Sequence, residues 1–209
     1  MKETVLPMLA VAGEPFDSPD YLFELKWNGV RALAAIERGT WRLWGRERAD
    51  YTPRYPELDG LRSLPPGTML DGELVLLRHG LPDLYALLAR HHLVSPQKIR
   101  HSSRLCPVTY VVFDLVCHRG QELFTEPLRT RREILEELLG VVKVPRLMLS
   151  PRVVGPGRAL FAQAIELGHE GVMAKHLAGC YVPGRRSAAW RKIKPHRPAS
   201  SRVFHPRKH

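Results

Sequence analysis

Glu24-Leu25-Lys26-Trp27-Asn28-Gly29-Val30-Arg31 places a lysine at the end of an apolar run, with a glycine three residues later and an arginine two after that. The run from Tyr21 to Leu25 has the make-up of a buried strand, and Asn28-Gly29 that of a tight turn into a second strand. Such a hairpin stands Lys26 at a strand end facing a cleft, with Arg31 returning beside it. A neutral lysine amine is a good nucleophile, and nearby cations or desolvation favour the neutral form. The arrangement suits attack on phosphorus. Taken alone, the octapeptide equally describes a surface hairpin with a solvated lysine, because short motifs recur by chance.

Outward from this point the chain reads as alternating strands and short helices. Strands are expected at 21–26, 29–37 and 40–45, the last two separated by Arg38-Gly39. Residues 1–20, punctuated by proline, read as extended over the surface. Tyr55 to Leu64 has helical spacing and stops at Pro65-Pro66-Gly67. Thr68 to Leu77 is a strand with a turn at His79-Gly80, and Pro82 to His91 a short helix with proline near its first turn. Residues 92–105 read as a polar, basic loop. Pro107 to Cys117, rich in Val, Tyr and Phe, is the most strand-like stretch. Leu128 to Leu139 is a helix ended by Gly140. A strand near 146–150, a helix from Pro156 to Leu167 ended by Gly168, and strands at Gly171–Lys175 and Trp190–Lys194 complete the pattern. Mostly antiparallel strands with helices inserted between them indicate an α+β domain.

The 209 residues suffice for one sizeable core, and 44% hydrophobic with 25% charged residues is ordinary for a soluble globular chain. No apolar run is long enough to span a membrane, and the opening MKETVLPMLAVAGEP does not read as a secretory signal. Cys106, Cys117 and Cys180 are odd in number and form no CxxC pair, so neither a disulfide framework nor a zinc site is indicated. A reducing, intracellular location is expected. The net charge of +11 is concentrated late: after Glu170 there are ten Lys or Arg and no Asp or Glu. Positive charge gathered in this way, with Trp190 and Ile193 inside it, suits a nucleic-acid backbone.

Four further signals share that chemistry. Asp71-Gly72-Glu73 sets two carboxylates about a glycine at a strand start. Phe113-Asp114 puts an aromatic in a buried strand, either as a core residue or as a ring against a nucleobase. Glu170-Gly171-Val172-Met173-Ala174-Lys175 brackets a strand with a carboxylate and an amine. Trp190-Arg191-Lys192-Ile193-Lys194 alternates Lys192 and Lys194 onto one face, where they repel each other unless an anion lies between them. Other patterns carry less. Gly155-Pro156-Gly157 lacks the lysine of a phosphate loop, His91-His92 reads as solvent-facing, and His101, Ser102 and Ser103 form no defensible triad. Tyr181 to Arg186 reads as a turn, at plain surface or near a nucleic acid.

Taken in order, KWNGVR, LWGRE, LDGELVLL, YVVFDLV, EGVMAKH, YVPGRRS and WRKIKP resemble the adenylation (nucleotidyltransferase) domain of ATP-dependent DNA ligases, especially the ligase module of bacterial end-joining ligases. The resemblance runs from about Leu6 to Lys194. It implies an ATP-grasp-like nucleotidyltransferase domain of antiparallel sheets flanked by helices over residues 1–194, followed by a short basic tail over 195–209. It implies that Lys26 takes AMP from ATP as a lysyl phosphoramidate and passes it to a 5′-phosphate in nicked or broken double-stranded DNA. By the same resemblance, Glu24 sits near the adenine, Phe113 stacks on it, and Leu25 is among the cofactor-binding residues. Arg31 contacts a phosphate, and Arg46 and Glu73 the ribose. Glu170, supported by Glu73, holds Mg²⁺ or Mn²⁺. Lys192 and Lys194 hold the α-phosphate, and Lys175 lies at the nucleotide. A cytoplasmic, nucleoid-associated protein with no membrane contact is the matching expectation.

Three departures qualify it. Asn28 replaces the aspartate of the usual Lys-x-Asp-Gly, removing a negative charge beside the nucleophile, and Glu47 follows Arg46 where an asparagine is common. Pro195 to His209 is too short for the OB-fold domain that follows in family ligases, so a partner carrying that fold, or an end-joining partner, is expected to act in trans. The rival readings are an enzyme limited to some of the ligation steps and a non-catalytic nucleic-acid-binding relic.

Overall fold

A computed structural model describes residues 5–195. Thirteen strands form among them: β1 (Leu9–Gly13), β2 (Ser18–Leu25), β3 (Val30–Glu37), β4 (Thr40–Trp44), β5 (Thr68–Val75), β6 (Leu77–Arg78), β7 (Leu81–Pro82), β8 (Thr109–His118), β9 (Gln121–Glu122), β10 (Leu147–Leu149), β11 (Arg152–Gly155), β12 (Val172–His176) and β13 (Arg186–Ile193). The α-helices are α1 (Leu84–His91), α2 (Pro96–Leu105), α3 (Leu128–Val141) and α4 (Gly157–Glu166), and Pro56–Ser63 is a 3-10 helix. The basic tail expected at 195–209 lies, from residue 196 onward, outside the described residues.

Two sheets carry the fold. One runs β1-β13-β12-β2-β11, the other β10-β8-β5-β3-β4 with β9 beside β8, while β6 and β7 form a small hairpin. Pairing is antiparallel except where β1 lies along β13 and β10 along β8. The sheets face each other, joined by Met8, Leu33, Trp44, Met69, Tyr181 and Trp190. Behind the five-stranded sheet, Phe23, Val172, Ala174 and Ile193 pack on α4 through Ala164, Leu160 and Phe161. Behind the six-stranded sheet, Ala34, Ile36, Leu70, Leu74 and Val112 pack on the 3-10 helix, α1 and α3 through Leu58, Leu87 and Leu135.

Period-two alternation sorts the chemistry. On β2, Phe23 turns to α4 and Glu24 to the other sheet. On β12 and β13, Val172, Ala174 and Ile193 turn to α4, leaving Met173, Lys175, Trp190 and Lys192 on the inner face. On β3, β5 and β8 the apolar positions Ala32, Ala34, Leu70, Leu74 and Val112 face the helices. Arg31, Asp71, Glu73 and Phe113 therefore project between the sheets.

Several expectations are corrected. Lys26 to Gly29 does not close a hairpin: β2 and β3 belong to different sheets, and the connection crosses the gap between them. Of the stretch 1–20, the described part, from residue 5, is not simply draped over the surface, since β1 pairs with β13 and Met8 is fully buried. The supposed loop at 92–105 contains α2, entered at Ser95, whose hydroxyl caps the Lys98 amide, with Pro96 in the first turn. The helix expected to stop at Gly140 continues to Val141, because a glycine inside a helix costs only about 1 kcal/mol. The helix expected at 55–64 is of the 3-10 type. Strand β11 follows β10 where no second strand is expected. His91 does not face solvent: it is buried, bonded to the Tyr55 hydroxyl at 2.7 Å, and burial next to Arg54 and His92 pushes its pKa down to about 4. Tyr181 is buried as well.

Candidate active site

A cavity of about 160 Å³ opens between the inner faces of the two sheets. Lys26 stands at its edge, just beyond the end of β2. The Lys26 amide donates to the Gly171 carbonyl at 2.9 Å, tying the departing chain to the start of β12. Gly29 completes the crossing, because a Cβ there would collide with the Leu74 carbonyl oxygen of β5. A Cβ on Gly171 would likewise collide with the Ile193 carbonyl oxygen of β13. These two close approaches explain why glycine follows the lysine at three residues and follows Glu170 directly.

The Lys26 amine donates to Glu170 Oε2 at 2.5 Å, and the Lys194 amine binds the other oxygen of the same carboxylate. Burial works to raise the Glu170 pKa, but the bonds from Lys194 and Lys26 outweigh it and hold the carboxyl below its ordinary value. Trp27 is fixed by its indole N–H, which donates to the Ser150 hydroxyl at 3.0 Å.

One wall is aromatic and cationic. Arg31 donates through Nε and Nη2 to the two oxygens of Asp71, each at 2.6 Å. Burial disfavours the Arg31 charge, yet this bidentate pair more than restores it. The Tyr181 hydroxyl donates to Asp71 Oδ2 at 2.6 Å and accepts from the Met8 amide at 3.0 Å. The Arg31 guanidinium lies 4.4 Å from the Phe113 ring centre and 5.3 Å from that of Trp190. Lys175 sits 3.9 Å from the Phe113 ring centre. It pairs with Glu24, whose other oxygen is 3.5 Å from Arg132. Burial lowers the Lys175 pKa against the pull of Glu24 and Asp114. Burial also pushes the Glu73 carboxyl up to about 7, opposed by Arg31, Lys26 and Arg46.

Of the residues singled out in the sequence, Glu24, Leu25, Lys26, Arg31, Arg46, Glu73, Phe113, Lys175 and Lys192 line this cavity. Glu170 and Lys194 join it through the Lys26 amine rather than lining it. Lys194 lies past the end of β13 and turns to Glu170, so it does not continue the strand face of Lys192. Trp190, Met173 and Arg186 also line the cavity, and the two-residue spacing of Trp190 and Lys192 could have revealed the first. Met8, Leu9 and Ala10 arrive through β1, for which no motif speaks.

A lysine amine, an aromatic wall and several cations thus meet at one cavity. Residues 7–194 match the ATP-dependent DNA ligase domain model. The chain belongs to that family. Over 201 residues it is 36% identical to the multifunctional non-homologous end joining protein LigD of Pseudomonas aeruginosa, which covers 93% of this chain and 22% of the relative. It is 31% identical over 191 residues to the SPbeta prophage-derived DNA ligase-like protein LigB of Bacillus subtilis, covering 90% and 67%. Among solved structures, mycobacterial DNA ligase D complexed with ATP and MES superposes with a TM-score of 0.74 at 31% identity, over 93% of this chain and 61% of that one. The ligase domain of M. tuberculosis LigD gives 0.75 at 30%, over 93% and 60%. This ligase-family chain thus spans about a fifth of the Pseudomonas protein and three fifths of the mycobacterial ligase chains. Among the described residues no helix is long and apolar enough to cross a membrane.

Proposed function

We propose that residues 1–194 form the adenylation core of a DNA ligase, with Lys26 as nucleophile and nicked or broken duplex DNA as the final acceptor. The observation that carries this reading is the position of the Lys26 amine, bonded to Glu170 at the edge of a cavity walled by Phe113, Trp190 and converging cations. In the first step the Lys26 nitrogen bonds to the α-phosphorus of ATP, the bond to the bridging oxygen breaks, pyrophosphate leaves and the amine gives up a proton. In the second, an oxygen of a DNA 5′-phosphate displaces Lys26 from that phosphorus, and the amine regains a proton. In the third, a 3′-hydroxyl attacks the activated 5′-phosphate and AMP departs.

The chain's own groups fit these steps. Phe113, which lines the cavity beside Arg31 and Lys175, would meet the base at its remaining exposed part, Lys192 and Arg46 would offset charge on the phosphate oxygens, and Lys194 would do so once released from Glu170. Arg31, held by Asp71, presents a fixed cation without needing to be ordered at each turnover.

Among the described residues no three His, Cys, Asp or Glu side chains converge on a metal position. Glu73 lines the cavity and Glu170 reaches it through the Lys26 amine, so these are the carboxylates that could serve a hard cation bound mainly by substrate phosphates. Glu73 and Glu170 would hold Mg²⁺ or Mn²⁺, which when bound neutralises phosphate oxygens and the leaving pyrophosphate.

Incubation with α-labelled ATP and either metal tests the reading. An acid-labile adduct is expected in the wild type and absent from Lys26→Ala; no adduct with either metal overturns the assignment. Nick sealing is then measured alone and with an OB-fold partner added in trans. A pre-adenylated nick identifies an enzyme confined to the last step.

A further inference from the structure

Helix α2 carries a basic face with no role in the cavity. Its one buried residue is Ile99. Lys98, Arg100, His101 and Arg104 all project from the opposite side at helical spacing and are exposed. Arg100 and Arg104 stand at i and i+4, a like-charge pair that costs stability in a free helix. No ion pair involves Lys98, Arg100 or Arg104 among the described residues. The surrounding sequence supplies no neutralising group: from residue 84 to residue 113 there is no Asp or Glu. Across the contact with the 3-10 helix the available carboxylates are engaged, Glu57 by Arg90 and Asp59 by Arg62. A shallow groove bounded by Leu93, Gln97, Lys98, His101 and Ser102 runs along the same helix.

Helix α2 packs on the 3-10 helix, which itself packs on the six-stranded sheet, and none of its residues lines the nucleotide cavity. Three unpaired cations in a row, beside a groove and without acidic neighbours, match a regular polyanion better than a protein partner of mixed charge. We propose that α2 is a second DNA contact, binding the sugar–phosphate backbone of the duplex independently of sequence and apart from the nucleotide cavity. The inference rests on the ligase reading above, since it takes duplex DNA as the substrate.

The test compares the triple variant Lys98→Glu, Arg100→Glu, Arg104→Glu with the wild type. A control reverses three exposed cations elsewhere, Arg38, Arg129 and Lys143, for the same change in net charge. AMP uptake from α-labelled ATP and affinity for a fluorescent nicked duplex are both measured, the latter across a salt series. The α2 variant should take AMP as the wild type does. It should bind the duplex at least tenfold more weakly, with the slope of log affinity against log salt flattened by about 3, near 0.9 per lost phosphate contact. The control should keep most of both. Unchanged affinity and slope in the α2 variant, or an equal loss in the control, overturns the inference while leaving the ligase reading intact. Failure of the wild type to take AMP or bind duplex overturns both. Weakened capture of an acidic polypeptide with DNA affinity unchanged would reassign the face to a protein.

Discussion

Glu73 shows how burial tunes a single group in this cavity. Its folded-state carboxyl holds a proton up to about pH 7, whereas its ordinary value is 4.5. Between these limits the folded chain binds a proton that the unfolded chain has lost, so stability falls as pH rises through the window and levels off above it. Glu73→Gln removes the effect. The difference in unfolding free energy between wild type and variant should therefore shift by about 3 kcal/mol between pH 4.5 and 7.5, measured by urea denaturation at each pH. The identities of Lys26, Glu73, Phe113 and Lys192 were legible because each sits in a motif of fixed spacing. Tyr181 was not: what matters is its bond to Asp71, 110 residues away, and nothing in a turn-like stretch announces a buried partner so distant.

At the level of elements, the crossing between β2 and β3 sets the position of Lys26. Gly29 passes so close to β5 that any side chain must push the two strands apart. Gly29→Ala should leave far-UV circular dichroism near wild type yet cut the rate of AMP uptake by about 100-fold, because a shift of about 1 Å at the reacting amine is enough to do so. The strands here were readable from composition, but their partners were not: Asn-Gly between two apolar runs predicts a hairpin on local grounds, and only the second sheet takes β3 elsewhere. Helix α2 is hidden in the sequence for a different reason. Its exposed face is so wide and its buried face so narrow, Ile99 alone, that no apolar period marks it. The short strand β11 borders the sheet through β2 and has no pattern of its own.

For the molecule as a whole, the two sheets are held together by a small cluster centred on Trp190, which touches the rings of Phe113 and Tyr181 from β13. Trp190→Ala should cost about 3–5 kcal/mol, with near- and far-UV signals still lost in one transition, since neither sheet closes its inner face without the other. The α+β class was evident from the order of elements, while the cavity as a meeting of two sheets depended on pairings that no local pattern encodes. The parallel pairing of β1 with β13 has a further consequence, for synthesis. Among the described residues, β1 finds its partner almost 180 residues later, between Arg186 and Ile193. Translation at about 5–20 residues per second leaves β1 unpaired for roughly 10–35 seconds. Trp190 and Lys192 arrive on the same late strand, so a chain interrupted before it lacks both the seam of the fold and a cation of the cavity. A fragment lacking β13 is expected to take up no AMP from α-labelled ATP.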